Sequence, residues 1–241
     1  MSTLSPVYIG CAGWSLPRDS WPWFAEHGTH LQRYASRLTA VEINSSFYRP
    51  HQPKTYARWA QSVPAAFHFS VKMPKQITHV QRLQNCDFLL EQFLAECTAL
   101  GPSLGCLLVQ LPPSLVYDEG IARGFFEALR HRYAGPLVLE PRHESWLNAE
   151  ALLVEQKIGR VAADPSPITG GGLPGGWCGI RYWRLHGSPR IYHSDYDDGR
   201  LKLLAQHLQG TVPCWCIFDN TASGFAVRNA LALQALLNPA A

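Results

Sequence analysis

Eight short apolar segments, each closing on polar or charged residues, constrain this chain more than any other feature of it. They are Ile9-Gly10-Cys11-Ala12-Gly13, Val41-Glu42-Ile43-Asn44, Phe69-Ser70-Val71-Lys72, Leu108-Val109-Gln110, Val138-Leu139-Glu140-Pro141-Arg142, Val161-Ala162-Ala163-Asp164, Arg184-Leu185-His186-Gly187 and Ile217-Phe218-Asp219-Asn220. Between them lie helix candidates with start and stop signals: 30–38 behind Thr29, 54–62 behind Pro53, 86–100 before Gly101-Pro102, 118–132 before Gly135-Pro136, 145–157 with Ser145 as cap, 200–208 before Gly210, and 223–237 before Pro239. Strand–helix units with chemistry at each strand's C-terminal end predict an α/β protein. The expected form is a single (β/α)8 TIM barrel of eight parallel strands, one domain over 1–241, with its site at the C-terminal face.

One unit breaks the pattern. After Asp164 the chain runs Pro165-Ser166-Pro167-Ile168-Thr169-Gly170-Gly171-Gly172-Leu173-Pro174-Gly175-Gly176, which cannot sustain a helix. The sixth crossover is therefore expected to be a loop, either a lid over the site or a plain connection. The first crossover is rich in aromatics. Trp14, directly behind the first strand, is the one best placed to stack on a ligand, although loop aromatics more commonly plug against neighbouring loops.

Net charge is +3, from 21 basic and 18 acidic residues, with no run of five like charges. A small polar or anionic ligand fits this balance; nothing in it favours nucleic acid. No apolar stretch approaches the ~18 residues of a membrane span, and the N-terminus lacks the pattern of a secretory signal. The seven cysteines are an odd number without a C-x-x-C pair. They read as small buried hydrophobes in a reducing compartment, so a cytoplasmic location is expected. Cys214 and Cys216 share a strand face, but no second Cys/His pair lies nearby to complete a zinc site.

Side chains two apart on a strand share a face. That puts Glu42 with Asn44, His68 with Ser70 and Lys72, and Tyr182 with Arg184 and His186, while Val41, Ile43, Phe69 and Val71 take the opposite face. The apolar set should face the helices and the polar set the enclosed interior, where unpaired charges are costly. The strand ends carry Glu42, Glu140, Asp164 and Asp219 against Lys72, Arg142 and Arg184, with His79, His186, Asn44, Gln110 and Asn220 as neutral groups. A metal cage would show fewer cations. A nearly balanced set suits acid–base chemistry on a polar or anionic ligand, or else a structural ion network such as Glu140 with Arg184.

Lys72 is the sharpest candidate. An inward lysine beside other cations is a possible base, nucleophile or anion clamp; the alternative is a permanent partner for Glu42 or Glu140. His79 lies in the loop behind it as acid or base. The loops after strands 7 and 8, His186-Gly187-Ser188 and Asn220-Thr221-Ala222-Ser223-Gly224, occupy this fold's usual phosphate position. There Thr221 and Ser223 either bind an anion or cap the last helix.

At these motifs the chain resembles the YecE-like family, domain-of-unknown-function family 72. The resemblance runs in order through Gly10-Cys11-Ala12-Gly13-Trp14, Val41 to Tyr48, Val71-Lys72, Ile77-Thr78-His79, Gln110-Leu111-Pro112-Pro113, Glu140 to Trp146, Ala163-Asp164, Arg184 to Gly187, Asn220-Thr221 and Asn229-Ala230. It implies a TIM barrel and brings no established reaction. The chain departs from the family pattern at Asp219, at Pro141 and in the glycine-rich stretch 170–176.

The leading expectation is an enzyme acting by acid–base chemistry on a small phosphorylated or polyhydroxylated substrate. Glu42, Lys72, Glu140, Asp164 and His186 would be catalytic; Trp14, Asn44, His79, Gln110, Arg142, Arg184 and Asn220 would bind substrate. No cofactor is required by the sequence. A divalent metal is possible, in the alternative reading of a barrel-nuclease-like phosphodiester hydrolase. A non-catalytic ligand-binding barrel is the third reading.

Overall fold

The computed structural model describes residues 5–238. Among these residues ten strands and seven α-helices follow in the order β1 (Val7–Cys11), α1 (His30–Ala35), β2 (Ala40–Ile43), α2 (Pro53–Gln61), β3 (His68–Lys72), α3 (Asp87–Cys97), β4 (Leu104–Gln110), α4 (Glu119–Arg132), β5 (Leu137–Glu140), α5 (Glu150–Glu155), β6 (Ile158–Arg160), β7 (Ala162–Asp164), β8 (Gly175–Gly176), β9 (Arg181–Leu185), α6 (Asp198–Leu208), β10 (Cys214–Phe218) and α7 (Phe225–Leu237). Helix starts follow local chemistry. Thr29 and Gln32 form a reciprocal capping box on α1, Asp118 and Asp197 cap α4 and α6, and Pro53 opens α2. Ser145 does not cap a long helix. The His143 ring accepts from the Ser145 amide and starts a 3₁₀ turn, Glu144–Ala149, that shortens α5 to two turns.

The ladders form two sheets rather than one continuous ring. One runs β1-β10-β9-β7 and the other β2-β3-β4-β5-β6-β8. Every pairing is parallel except the short β8, which lies antiparallel on β6. The crossover carrying β8 has no helix, as its glycines and prolines require. At one seam the chain itself passes between the sheets: β6 and β7 are separated only by Val161, whose amide donates to the Leu139 carbonyl. At the other seam one isolated parallel bridge joins Ala12 to Glu42. Beside it, the Tyr34 hydroxyl accepts from the Cys11 amide (2.8 Å) and donates to the Ala40 carbonyl (2.9 Å). Gly10 permits this approach, because a Cβ there would sit 2.0 Å from the Ala40 oxygen.

Alternation sorts the strands into two cores. Ile9, Cys11, Val41, Ile43, Phe69, Val71, Leu107, Val109, Leu137, Leu139, Trp183, Leu185, Cys214, Cys216 and Phe218 pack outward against the helices. Ala40, Cys106, Leu108, Val138, Val161, Tyr182, Trp215 and Ile217 form a separate inner cluster. Within it, Tyr182 stacks on Trp215 (5.9 Å, 11°), and Trp215 meets Tyr8 at 4.7 Å. This apolar and aromatic layer fills the interior towards the strand N-termini. The polar residues at the strand C-termini lie above it.

Candidate functional site

The inner face at the C-terminal ends is organised around Arg184. Its position on β9 places it above Tyr182, opposite Ile217 of β10, and it is fully buried. The guanidinium grips Glu42 of β2 with two parallel bonds, Nε to Oε2 (2.9 Å) and Nη2 to Oε1 (2.7 Å). It also donates to Glu140 of β5 (2.7 Å) and to Asp219 beyond β10 (3.0 Å). The Tyr182 hydroxyl sits between Glu42 (3.0 Å) and the Ser70 hydroxyl (2.9 Å), tying the network to β3. Burial alone would push Arg184 down, yet three carboxylates hold it well above the usual range. Burial likewise pushes Glu140 up, but Arg184, Arg142 and His186 outweigh it and keep that carboxyl well below the ordinary value. Bidentate and charge-assisted bonds of this kind are the strong ones. Four of the five guanidinium N–H groups are thus engaged by carboxylates, so Arg184, expected as a substrate-binding group, is foremost the residue that holds the site together.

His186 and Arg142 form the next layer. His186 is 1% exposed. Its Nδ1 is 3.0 Å from Asp219, and its Nε2 is 3.0 Å from both the Glu140 carboxylate and the Arg142 guanidinium. Arg142 also donates from Nε to Glu140 (2.8 Å), and its side chain keeps 16% exposure. Gln110, opposite Glu140 in the ladder, reaches the same carboxylate only at 3.5 Å. Burial lowers His186, but Glu140 and Asp219 overcome it and leave the imidazole above its usual value.

Lys72 differs from every other charge in the group. It is 6% exposed, yet among the described residues no carboxylate is within ion-pairing distance of it, since Glu42, Glu140 and Asp219 are all engaged by Arg184. The permanent partnership with Glu42 or Glu140 considered from sequence is not formed. Its ammonium instead lies 4.2 Å over the Phe47 ring. Burial and Arg184 lower it to about 8 against the pull of the carboxylates. His79 meets the same aromatic ring in a T-shaped contact, 4.9 Å between ring centres, with Nδ1 bonded to Thr78 (2.8 Å). Burial, then Lys72, Lys75 and Arg142, lowers His79 below its ordinary value, so it is neutral near pH 7. Asn44 contributes a buried Oδ1 with no partner among the described residues. Phe47 and Tyr192, whose ring meets His186 at 6.1 Å, were not anticipated as site residues.

Three expected residues stand elsewhere. Asp164 pairs in register with the outward-facing Leu185, while Ala163 is the residue opposite Arg184. The Asp164 carboxylate accordingly meets Arg200 of α6 on the outer side (3.2 Å). Asn220 is fully buried but serves as a strut: its Nδ2 donates to the Ser194 carbonyl and to Asn229 of α7, tying the loop after β9 to that helix. Trp14 packs edge-on against Trp59 of α2, 5.0 Å between centres, in the outer core. Neither Thr221 nor Ser223 caps α7; Gly224 precedes it at φ 78°. Among the described residues no three His, Cys, Asp or Glu side chains are arranged to hold a metal, and no helix is long and apolar enough to cross a membrane.

Residues 8–241 match the family described as "Protein of unknown function DUF72". The chain is 34% identical to the Escherichia coli protein named UPF0759 protein YecE over 106 residues, 44% of this chain and 38% of that one. It is 29% identical to UPF0759 protein YunF of Bacillus subtilis over 150 residues, 59% of this chain and 52% of that one. The matches thus span about half or less of these relatives' length. Among solved structures, a DUF72 family protein of Enterococcus faecalis superposes with a TM-score of 0.79 at 20% identity, covering 97% of this chain and 96% of that one. One from Thermotoga maritima gives 0.76 at 24% identity, covering 96% and 99%. At such identities the likeness concerns the fold.

Proposed function

The chain belongs to the DUF72 family of proteins of unknown function, and we propose that it is an enzyme binding a small phosphorylated or polyhydroxylated substrate at the C-terminal ends of its strands. On this reading the two sheets act as one eight-stranded TIM barrel closed at the Val161 and Ala12–Glu42 seams, and the Arg184 network is the floor of its pocket. The observation that carries the proposal is Lys72, a nearly buried cation without a carboxylate partner beside three carboxylates already committed to Arg184. An unpaired charge in such a place is costly unless a ligand completes it. Lys72 and Arg142 would clamp the anion. The orphaned Asn44 oxygen would accept from a substrate hydroxyl. Neutral His79, with Nδ1 held by Thr78, would take or return a proton through Nε2. Seven free cysteines, six of them buried, fit a reducing cytoplasm.

Phosphate tests the anion site. By mass action, phosphate at tens of millimolar, about ten times a Kd in the low millimolar range, should raise the melting temperature of the wild-type protein. The rise should vanish in Lys72→Met. A wild-type protein whose melting is indifferent to phosphate would overturn the reading.

A further inference from the structure

His186 Nε2 faces two partners that ask opposite things of it. The Glu140 carboxylate, 3.0 Å away, can only accept, so it needs an N–H there. The Arg142 guanidinium, also 3.0 Å away, can only donate, so it needs a lone pair. Nδ1 faces Asp219, an acceptor in either case. The neutral imidazole, with its hydrogen on Nδ1, satisfies Asp219 and Arg142. The imidazolium satisfies Asp219 and Glu140 but sets N–H against N–H at Arg142. Arg142 is the partner that can leave: its side chain is partly exposed, and the Glu140 Oε1 that pairs with it (2.6 Å from Nη2, 2.8 Å from Nε) is the oxygen a protonated His186 would claim, whereas Glu140 is fully buried and its Oε2 is fastened by Arg184.

We propose that His186 is a positioning residue for the anion site: neutral, it joins Glu140 in holding Arg142 inward, and on taking a proton it claims the same Glu140 oxygen and releases Arg142 to the ligand, so that an oxyanion binds together with a proton. The inference rests on the anion site proposed above and adds its control. Charge agrees with it. With His186 neutral, the carboxylates of Glu42, Glu140 and Asp219 balance Arg184, Arg142 and Lys72; protonation leaves one excess positive charge for an anion to offset. The groups that face His186 are Glu140 and Arg142 from β5, Asp219 beyond β10, Arg184 from its own strand, and Tyr192 from the loop that follows. Lys72 belongs to the same field through Asp219. Linkage is reciprocal: if the proton favours the anion, the anion favours the proton equally.

Sulfate is the probe, because it does not itself titrate near neutrality. Its affinity should be measured by calorimetry between about pH 6 and 9, in buffers of different ionisation enthalpy, to count protons taken up. Above the His186 titration the affinity should fall with pH by up to about tenfold per unit, the limit for one linked proton. In His186→Asn the sulfate-linked uptake near neutrality should be lost, leaving only what Lys72 contributes at higher pH. Ring nitrogen shifts of wild-type His186, recorded at a pH above the free ring's own titration, give the same answer without a substitution: sulfate should convert a neutral Nδ1–H ring to imidazolium. Sulfate bound without proton uptake, or with a His186 ring that does not change state, refutes the coupling and leaves the anion site standing. No sulfate binding at all removes both.

Discussion

The ends of β9 and β3 each present one cation to the same interior, and the protein treats them in opposite ways. Arg184 on β9 is surrounded by Glu42, Glu140 and Asp219 and gives them four of its five N–H donors. Lys72 on β3 is buried almost as deeply and lies over an aromatic face instead. A planar fork suits three carboxylates converging from three strands, whereas a compact ammonium on a flexible stem suits a site that must remain free. The contrast separates what holds the interior together from what it offers.

Removing Arg184 should produce the largest effect. Arg184→Leu strands three buried carboxylates, and losing one partner of a buried pair costs about 3–5 kcal/mol. Urea unfolding should show at least that loss, and melting should fall by roughly 10 °C. A variant as stable as the parent would end the distinction, because Arg184 would then be no more committed than Lys72.

Lys72→Met should act in the other direction. The folded value of about 8 lies below the 10.5 of a free lysine, so at neutral pH the folded state pays to keep this ammonium charged. Met should therefore stabilise by up to roughly 3 kcal/mol at pH 7. The gain should be complete below about pH 8, shrink as pH rises through the interval, and be gone near the unfolded value. Destabilisation at pH 7 would mean that Lys72 has a structural partner after all.

The smallest effect belongs to the outer face. Arg200→Gln breaks a pair with Asp164 whose side chains are 43% and 34% exposed. The cost should stay within about 1 kcal/mol, and phosphate should still raise the melting temperature. Loss of the phosphate response would bring Asp164 back to the site.

Much of this layout is legible in the chain. Period-two alternation alone places Glu42, Ser70, Lys72, Tyr182, Arg184 and His186 inward, and the glycines and prolines of 165–176 rule out a helix there. Asp164 was misplaced for a physical reason. Being last in a strand says nothing about phase, and the register that sets Ala163 opposite Arg184 turns Asp164 outward. Asn220 follows Asp219 and so takes the other side, but its bond to Asn229 depends on how α7 packs. Phe47 was missed because its place over Lys72 is made by the 3₁₀ turn Ser45–Phe47, which no periodicity announces. Which carboxylates Arg184 would claim is likewise a matter of three-dimensional proximity.

The Tyr34 hydroxyl between Cys11 and Ala40 has a mechanical meaning. Within each sheet neighbouring parallel strands are fastened by runs of backbone bonds that resist separation together. Between β1 and β2 much of the fastening passes through one phenol and one bridge. A force that parts these two strands meets a clasp rather than a stitched hem. Since Glu42 forms half of that bridge, slackening the clasp would move a carboxylate that Arg184 grips with both arms of its fork.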